Sequence, residues 1–365
     1  MEATFLMDPG FWASADPAVP GAKIEAGALR VGGLEGLVLF KTSGTTGVPK
    51  WIGLSREALL LSAAVVNRHL EVDEDSRWGL ALPLNHVGGF GVVARAFEAG
   101  AELCCFDGRW DAGRFALWAG RVTHVSLVPT QVHDLVKGGF RAPSGLRAVV
   151  VGGGILPQAE GEAARRLGWP VLASYGMTEA ASQIATQSLA QLDSPYATGP
   201  LPVLPHWEVR RSEEGRIGIR GASLFSGWLR PEAGGWCYEP RRGEWFESSD
   251  LGSLVEGGLV VTGRADSLVK VLGELVDPVS VERDFGMEGV VVVAVTEERE
   301  GHGLWAIFEK EELKREVELR VISYNEKAAG FRRLRGAIRL EPLPRSELGK
   351  LRRGELAAML AARGI

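Results

Sequence analysis

Four short stretches concentrate the residues that could do chemistry. The first is KTSGTTGVPK, Lys41 to Lys50. Thr42, Ser43, Thr45 and Thr46 supply hydroxyls, Gly44 and Gly47 let the backbone turn sharply, and Lys50 ends the run. Such a loop can aim N–H groups and hydroxyls at an anion, although the same composition suits a solvated turn between a strand and a helix. A kinase-type phosphate loop needs a lysine directly after glycine, at the opening of a helix. Here Val48 and Pro49 separate Gly47 from Lys50. Pro49 has no N–H and biases Val48 away from helix, so that loop is excluded.

The second stretch is SYGMTEAASQ, Ser174 to Gln183. Tyr175 offers a flat face, Thr178 a hydroxyl, and Glu179 a hard oxygen of the kind Mg²⁺ prefers. Its alternative is a strand-to-helix turn with Thr178 as N-cap. The third runs from Glu247 to Glu282 and contains SSDLG and GRADSLVKVLGELVDPVSVE. Asp250 can accept two vicinal hydroxyls and Arg264 can add a donor, or the two can form a surface ion pair of little worth. The fourth is PRSELGK, where Lys350 follows Gly349 ahead of a final helix. A lysine so placed is ordinarily solvated.

The elements that must position these groups follow from periodicity. GLVLF (36–40) reads as a buried strand entering the first stretch, and 54–70 has helical spacing with Ser55 as N-cap. Strands are expected at 78–84, 101–106, 123–130, 147–154 and 170–176, with helices at 92–100 and 159–168 between them. This alternation predicts a layered α/β domain with parallel strands. From about Glu208, short runs broken by glycine predict a small antiparallel β unit. Beyond it, strands at 289–295 and 304–310, a helix within 310–330, a further strand and a last helix predict a small α+β domain.

Bulk properties narrow the function classes. A chain of 365 residues, 45% hydrophobic and 24% charged, can bury a core and suggests two or three domains. Its net charge of −5 argues against general nucleic-acid binding. The cysteines (Cys104, Cys105 and Cys237) show no CxxC spacing, which disfavours a disulfide framework or zinc site. The first residues lack a basic n-region, and the longest apolar runs are too short to span a bilayer. The expectation is a cytoplasmic protein with no membrane or nucleic-acid partner.

Together the four stretches resemble the adenylate-forming superfamily of acyl- and aryl-CoA ligases. Residues 42–50 are similar to its TSGTTGxPK signature, SYGMTE to its adenine and Mg²⁺ segment, SSDLG to its ribose-binding segment, 263–282 to its hinge, and PRSELGK to its catalytic-lysine segment. Within it, GMTEAASQI, LPLNHVGGF and SLVPTQ resemble the o-succinylbenzoate-activating family of menaquinone or phylloquinone synthesis. The resemblance implies a large ATP- and acyl-binding domain over 1–265 and a small mobile domain over 266–365. It implies ATP, Mg²⁺ and coenzyme A as cofactors and co-substrates, and a small carboxylic acid as partner. Lys350 and Thr178 would then be catalytic, with Glu179 catalytic and a metal ligand. Thr42, Ser43, Gly44, Thr45, Thr46, Gly47 and Lys50 would hold phosphates. Gly153 and Gly154 would form an open wall, Tyr175 and Gly176 would hold adenine, and Asp250 with Arg264 the ribose. Lys270 and Gly273 would meet pantetheine, Asp266 would be the hinge, and His86 and Ser182 would receive the acid.

Two departures stand out. Ser248 and Ser249 replace the common Thr-Gly, and only 41 residues precede Thr42, far fewer than is usual in the family. That predicts a compact enzyme with an altered acyl pocket. Two other readings stay open, a ligase for another acid and a nucleotide-binding module without catalysis. The module would bind ATP without pyrophosphate exchange, and it has no need of Lys350, Glu179 and Asp250 together. Oligomeric state is not legible.

Overall fold

The computed structural model describes residues 2–25, 27–42, 50–297, 301–345, 349, 351–363 and 365. The chain divides into two compact units, Met1–Ser248 with Gly252–Val261, and Ser249–Leu251 with Thr262–Ile365.

The first unit is built on a six-stranded sheet. Its order is Glu102–Cys105, Arg77–Leu80, His124–Leu127, Ala148–Val151, Val171–Met177 and Ser182–Thr186. The first five strands are parallel and the last returns antiparallel. AVVV at 148–151 is buried throughout, as expected of a parallel strand covered on both faces. Helices Val87–Ala99, Ala112–Trp118, Pro129–Lys137 and Gln158–Arg166 link the strands.

Two of these helices were not expected, and a third begins earlier than expected. The apolar run at 123–130 reads as one strand, but the strand stops at Leu127 and Pro129 opens a helix at its first turn. The helix expected from Val92 starts at Val87; Gly88, Gly89 and Gly91 depress local propensity and so hide its first turn in the sequence. Gly89 is required there for space: a Cβ would lie 2.3 Å from the Pro83 carbonyl.

A second sheet has the order Leu37–Thr42, Lys50–Ser55, Gly227–Glu232 and Gly235–Pro240. The first two strands are an antiparallel pair with Thr42 opposite Lys50. Helix Arg56–His69 follows at once, and the Ser55 hydroxyl accepts from the Ala58 N–H at 3.1 Å. The segment ahead of Leu37 packs inward: Phe11 and Trp12 are buried, and Trp12 stacks on Phe97 at 5.2 Å. A third sheet orders Gly258–Arg264, Phe246–Val255, Arg216–Arg220 and Glu208–Arg211.

The second unit has a sheet of order Glu274–Val276, Val269–Val271, Gly301–Phe308, Val290–Glu297, with Leu334–Arg339 parallel to Gly301–Phe308. Alternation sends Val292 to one face and Val293 to the other. Val292 joins Phe285, Val317 and Val321 from helices Pro278–Phe285 and Lys314–Lys327. Val293 joins Leu356 and Leu360 from helix Arg353–Ala361. No described helix is long and apolar enough to cross a membrane.

Candidate active site

In an open parallel sheet ligands gather beyond the carboxyl ends of the strands. Gly153 and Gly154 lie there, exposed, just past Ala148–Val151. Gly153 has φ +75°, so a side chain would be strained at that wall. The neighbouring strand Val171–Met177 carries Tyr175 and Gly176 at its end, followed by a single 3₁₀ turn, Thr178–Ala180. The chain then reverses through Ala181 (φ 49°) and Ser182 (φ 106°) into the returning strand. This replaces the strand-to-helix reading, in which Thr178 would be an N-cap. The reversal is tight enough that a Cβ on Gly176 would sit 1.6 Å from the Ser182 carbonyl oxygen. Two non-glycine residues in left-handed conformations are costly, and such strain concentrates where a site needs a fixed shape.

Tyr175, Thr178 and Glu179 are half-buried on this turn. The Glu179 carbonyl accepts from the Phe225 N–H at 2.9 Å, which anchors the backbone beneath its carboxylate. Among the described residues no group of three or more His, Cys, Asp or Glu could hold a metal by itself. A Mg²⁺ that travels with a nucleotide needs only one or two carboxylates, the rest being phosphate and water. Glu179 beside the Thr178 hydroxyl fits that donor set.

His86 caps helix Val87–Ala99, and its carbonyl accepts from the Phe90 N–H at 3.0 Å. Two turns along the same helix lies a residue that the sequence reading missed. Arg95 is 2% exposed. Its Nη2 donates to the Ser182 hydroxyl at 3.3 Å and its Nη1 to the Ser126 hydroxyl at 3.2 Å. Its guanidinium carbon lies 5.2 Å from the centre of the Trp78 ring. Gly91 makes room for this meeting, since a Cβ there would lie 3.2 Å from Nη2 and 3.5 Å from the Ser182 Cβ. Burial pushes the Arg95 pKa down to about 10, and no acidic group offsets the loss of hydration. The residue is still cationic at neutral pH. Among the described residues it forms no ion pair. The available signal was a lone arginine inside the apolar run VVARAF.

The second unit carries another cluster. Arg264 donates to Asp250 Oδ1 at 3.0 Å and to both oxygens of Asp266, at 2.8 and 2.6 Å. Asp250 is 9% exposed, while about half of the Arg264 side chain is open to solvent. The ion pair considered from sequence therefore exists, and it includes the expected hinge residue. Lys270 lies on strand Val269–Val271. The turn to Glu274–Val276 is two residues long, with Leu272 at φ 52° and Gly273 at φ 88°, the primed geometry that suits strand twist.

Lys50 begins a strand, and the Thr42 hydroxyl donates to its carbonyl at 3.3 Å. This agrees with the argument that Pro49 prevents a helix from opening there. Ser43, Gly44, Thr45, Thr46, Gly47 and Lys350 lie outside the described residues. Next to Lys350, the Gly349 carbonyl accepts from Arg345 Nη1 at 3.1 Å, and Arg345 pairs with Leu351 in an isolated bridge.

The family model for AMP-binding enzymes matches residues 35–229. A 2-succinylbenzoate–CoA ligase of Bacillus cereus is 30% identical over 344 residues, covering 89% of this chain and 70% of its own. Among solved structures, the o-succinylbenzoate CoA synthetase MenE of Bacillus subtilis in complex with the acyl-adenylate intermediate OSB-AMP superposes with a TM-score of 0.74 at 27% identity, over 87% of this chain and 68% of that one. The same enzyme with ATP and magnesium ion gives a TM-score of 0.71 at 27% identity, over 87% and 69%. With its two-unit α/β adenylate-forming fold, the chain belongs to the AMP-binding enzyme family.

Proposed function

We propose that the protein is an ATP-dependent, AMP-forming acid–thiol ligase that converts o-succinylbenzoate to its coenzyme A thioester in quinone biosynthesis. The observation that carries the choice of acid is Arg95. A buried guanidinium held, among the described residues, by hydroxyls and an indole face is expensive for a fold that needs nothing but packing. It suits an acid with two carboxylates, one to be activated and one to be held. Arg95 supplies the charge for the second carboxylate, Ser182 supplies a hydroxyl, and His86 at the head of the same helix is a further donor.

The reaction has two steps. One carboxylate attacks the α-phosphate of ATP and releases pyrophosphate, leaving an acyl-adenylate. The thiol of coenzyme A then attacks its carbonyl carbon and AMP departs. The first step brings two anions together, so positive charge must meet the developing oxygens. Lys350 is proposed for that role on its motif, with the hydroxyl-rich loop Thr42–Thr46 and Lys50 for the leaving phosphates. Mg²⁺ bound beside Glu179 would neutralise phosphate charge. Thr178 adds a hydroxyl for the phosphate, Tyr175 a face for adenine above the open Gly153–Gly154 wall, and Asp250 with Arg264 the ribose contact. Asp266, just past the crossing of the chain into the second unit, is the proposed pivot for the second step, and Lys270 with Gly273 the proposed edge of the pantetheine path.

The test is ATP–pyrophosphate exchange with o-succinylbenzoate, benzoate and a fatty acid in parallel. Exchange with o-succinylbenzoate alone is expected. Equal exchange with benzoate would reassign the protein to another aryl acid, and ATP binding with no exchange would make it a binding module.

A further inference from the structure

Arg95 sits in a setting that ought to discharge it or draw in a carboxylate, and among the described residues it does neither. Trp78, wholly buried on strand Arg77–Leu80, presents its ring to the guanidinium at 5.2 Å. On the neighbouring strand His124 lies directly opposite Trp78, its ring 5.3 Å from the indole at 40°. His124 and Ser126 are two residues apart on one strand, so they share a face. Ser126 takes one Nη of Arg95 while the His124 ring lies against the indole. His124 is itself held by Thr123 Oγ1 at 2.8 Å and the Leu70 carbonyl at 3.2 Å, and burial pushes its pKa down to about 4. It is therefore neutral at working pH and adds no repulsion to the guanidinium beside Trp78.

An aromatic face attracts a cation without consuming its charge, as a carboxylate would. We propose that Trp78 is a specificity-determining positioning residue: its ring, packed beside His124, holds the Arg95 guanidinium charged and unneutralised, so that selection for an acid with a second carboxylate runs through Trp78 as well as Arg95. This rests on the reading that Arg95 receives that carboxylate.

The experiment compares kcat/KM for o-succinylbenzoate and for benzoylpropionate, the same skeleton without the ring carboxylate. Trp78→Leu is expected to lower kcat/KM for the dicarboxylate roughly five- to thirty-fold, the span of a desolvated cation–π contact, and to change benzoylpropionate less than about two-fold. Equal losses on both acids would mean that Trp78 only fills the core, and would overturn the proposal, as would no loss on either. If Trp78→Leu does not fold, Trp78→Phe carries the test, with a selective loss of roughly two- to five-fold expected from its weaker face and a non-selective one overturning the idea. Arg95→Ala separates the two levels. If it leaves the preference between the acids intact, the reading of Arg95 is wrong. If it abolishes the preference while the folded Trp78 variants keep it, only the role of Trp78 is wrong.

Discussion

In the first unit Arg95 ends on two serine hydroxyls and an indole face. In the second unit Arg353 ends on a carboxylate and a carbonyl, with Nη2 2.8 Å from Glu282 Oε2 and Nη1 2.7 Å from the Val292 oxygen. Arg332 with Asp284 and Arg335 with Glu297 follow the second pattern. Burial alone does not separate the units, because Arg56 and Arg165 of the first unit are also desolvated. Arg165, however, gathers the carbonyls of Val171, Gln191 and Ser194, and Arg56 donates to the Asp16 carbonyl with the Asp16 carboxylate nearby. The distinction is what satisfies the guanidinium. A cation matched by its own chain ties elements together. One left with neutral hydroxyls keeps its charge for something that arrives. On the proposed function, the first unit would choose the acid through Arg95, and the second would supply Lys350.

The largest effect that could break this division belongs to Lys350→Ala. Adenylation, followed by pyrophosphate exchange, is expected to fall at least a hundred- to a thousand-fold, roughly the cost of losing one donor aimed at developing charge. Thioester formation from supplied acyl-adenylate should remain within a few-fold of the parent. Equal losses in the two half-reactions would remove the lysine from its assigned step. Next in size is Arg95→Ala, with kcat/KM for o-succinylbenzoate lowered roughly a hundred-fold, as when one partner of a buried charged pair is truncated. Its counterpart in the second unit is Glu282→Ala, which unpairs Arg353 and the Val292 N–H that donates to Glu282 at 2.8 Å. There the loss should be stability, about 1–3 kcal/mol, read as faster hydrogen exchange in Val290–Glu297 and Arg353–Ala361. Turnover per folded molecule should change little. If Glu282→Ala instead altered the preference between acids, the division of labour would be wrong.

Much of the frame was legible because strands buried on both faces are written as unbroken apolar runs, as in AVVV at 148–151. Elements were lost where local signals conflicted with tertiary demands. The glycines that hid the start of helix Val87–Ala99 are there because Gly89 must pass the Pro83 carbonyl and Gly91 must admit Arg95 and Ser182. The return strand Ser182–Thr186 was missed because its turn uses left-handed alanine and serine instead of glycine. Tyr175, Glu179 and Asp250 stood out as candidates because spaced motifs carry them. Arg95 was not, since a single charge in an apolar helix reads as its one solvated position. Only the packing of that helix against the sheet shows that the position faces inward.

An effect on stability alone, with no expected change in the preference between acids, sharpens the picture of the first unit. Burial lowers the His124 pKa from its ordinary 6.5 to about 4, and His206 shifts likewise, with the Arg68 charge adding to burial. The unfolded chain therefore takes up protons near pH 6.5 that the folded chain refuses until about pH 4. Between these values the unfolded state holds more protons, so stability is fully present above pH 6.5, falls as the pH drops toward 4, and loses nothing more to these groups below that. For His124 the loss is on the order of 3 kcal/mol. Urea unfolding followed by tryptophan fluorescence should show a midpoint that falls between pH 7.5 and 4.5, and a smaller fall in His124→Gln. An unchanged fall in that variant would place the acid sensitivity elsewhere, and would leave the neutrality of the ring beside Trp78 without support from stability.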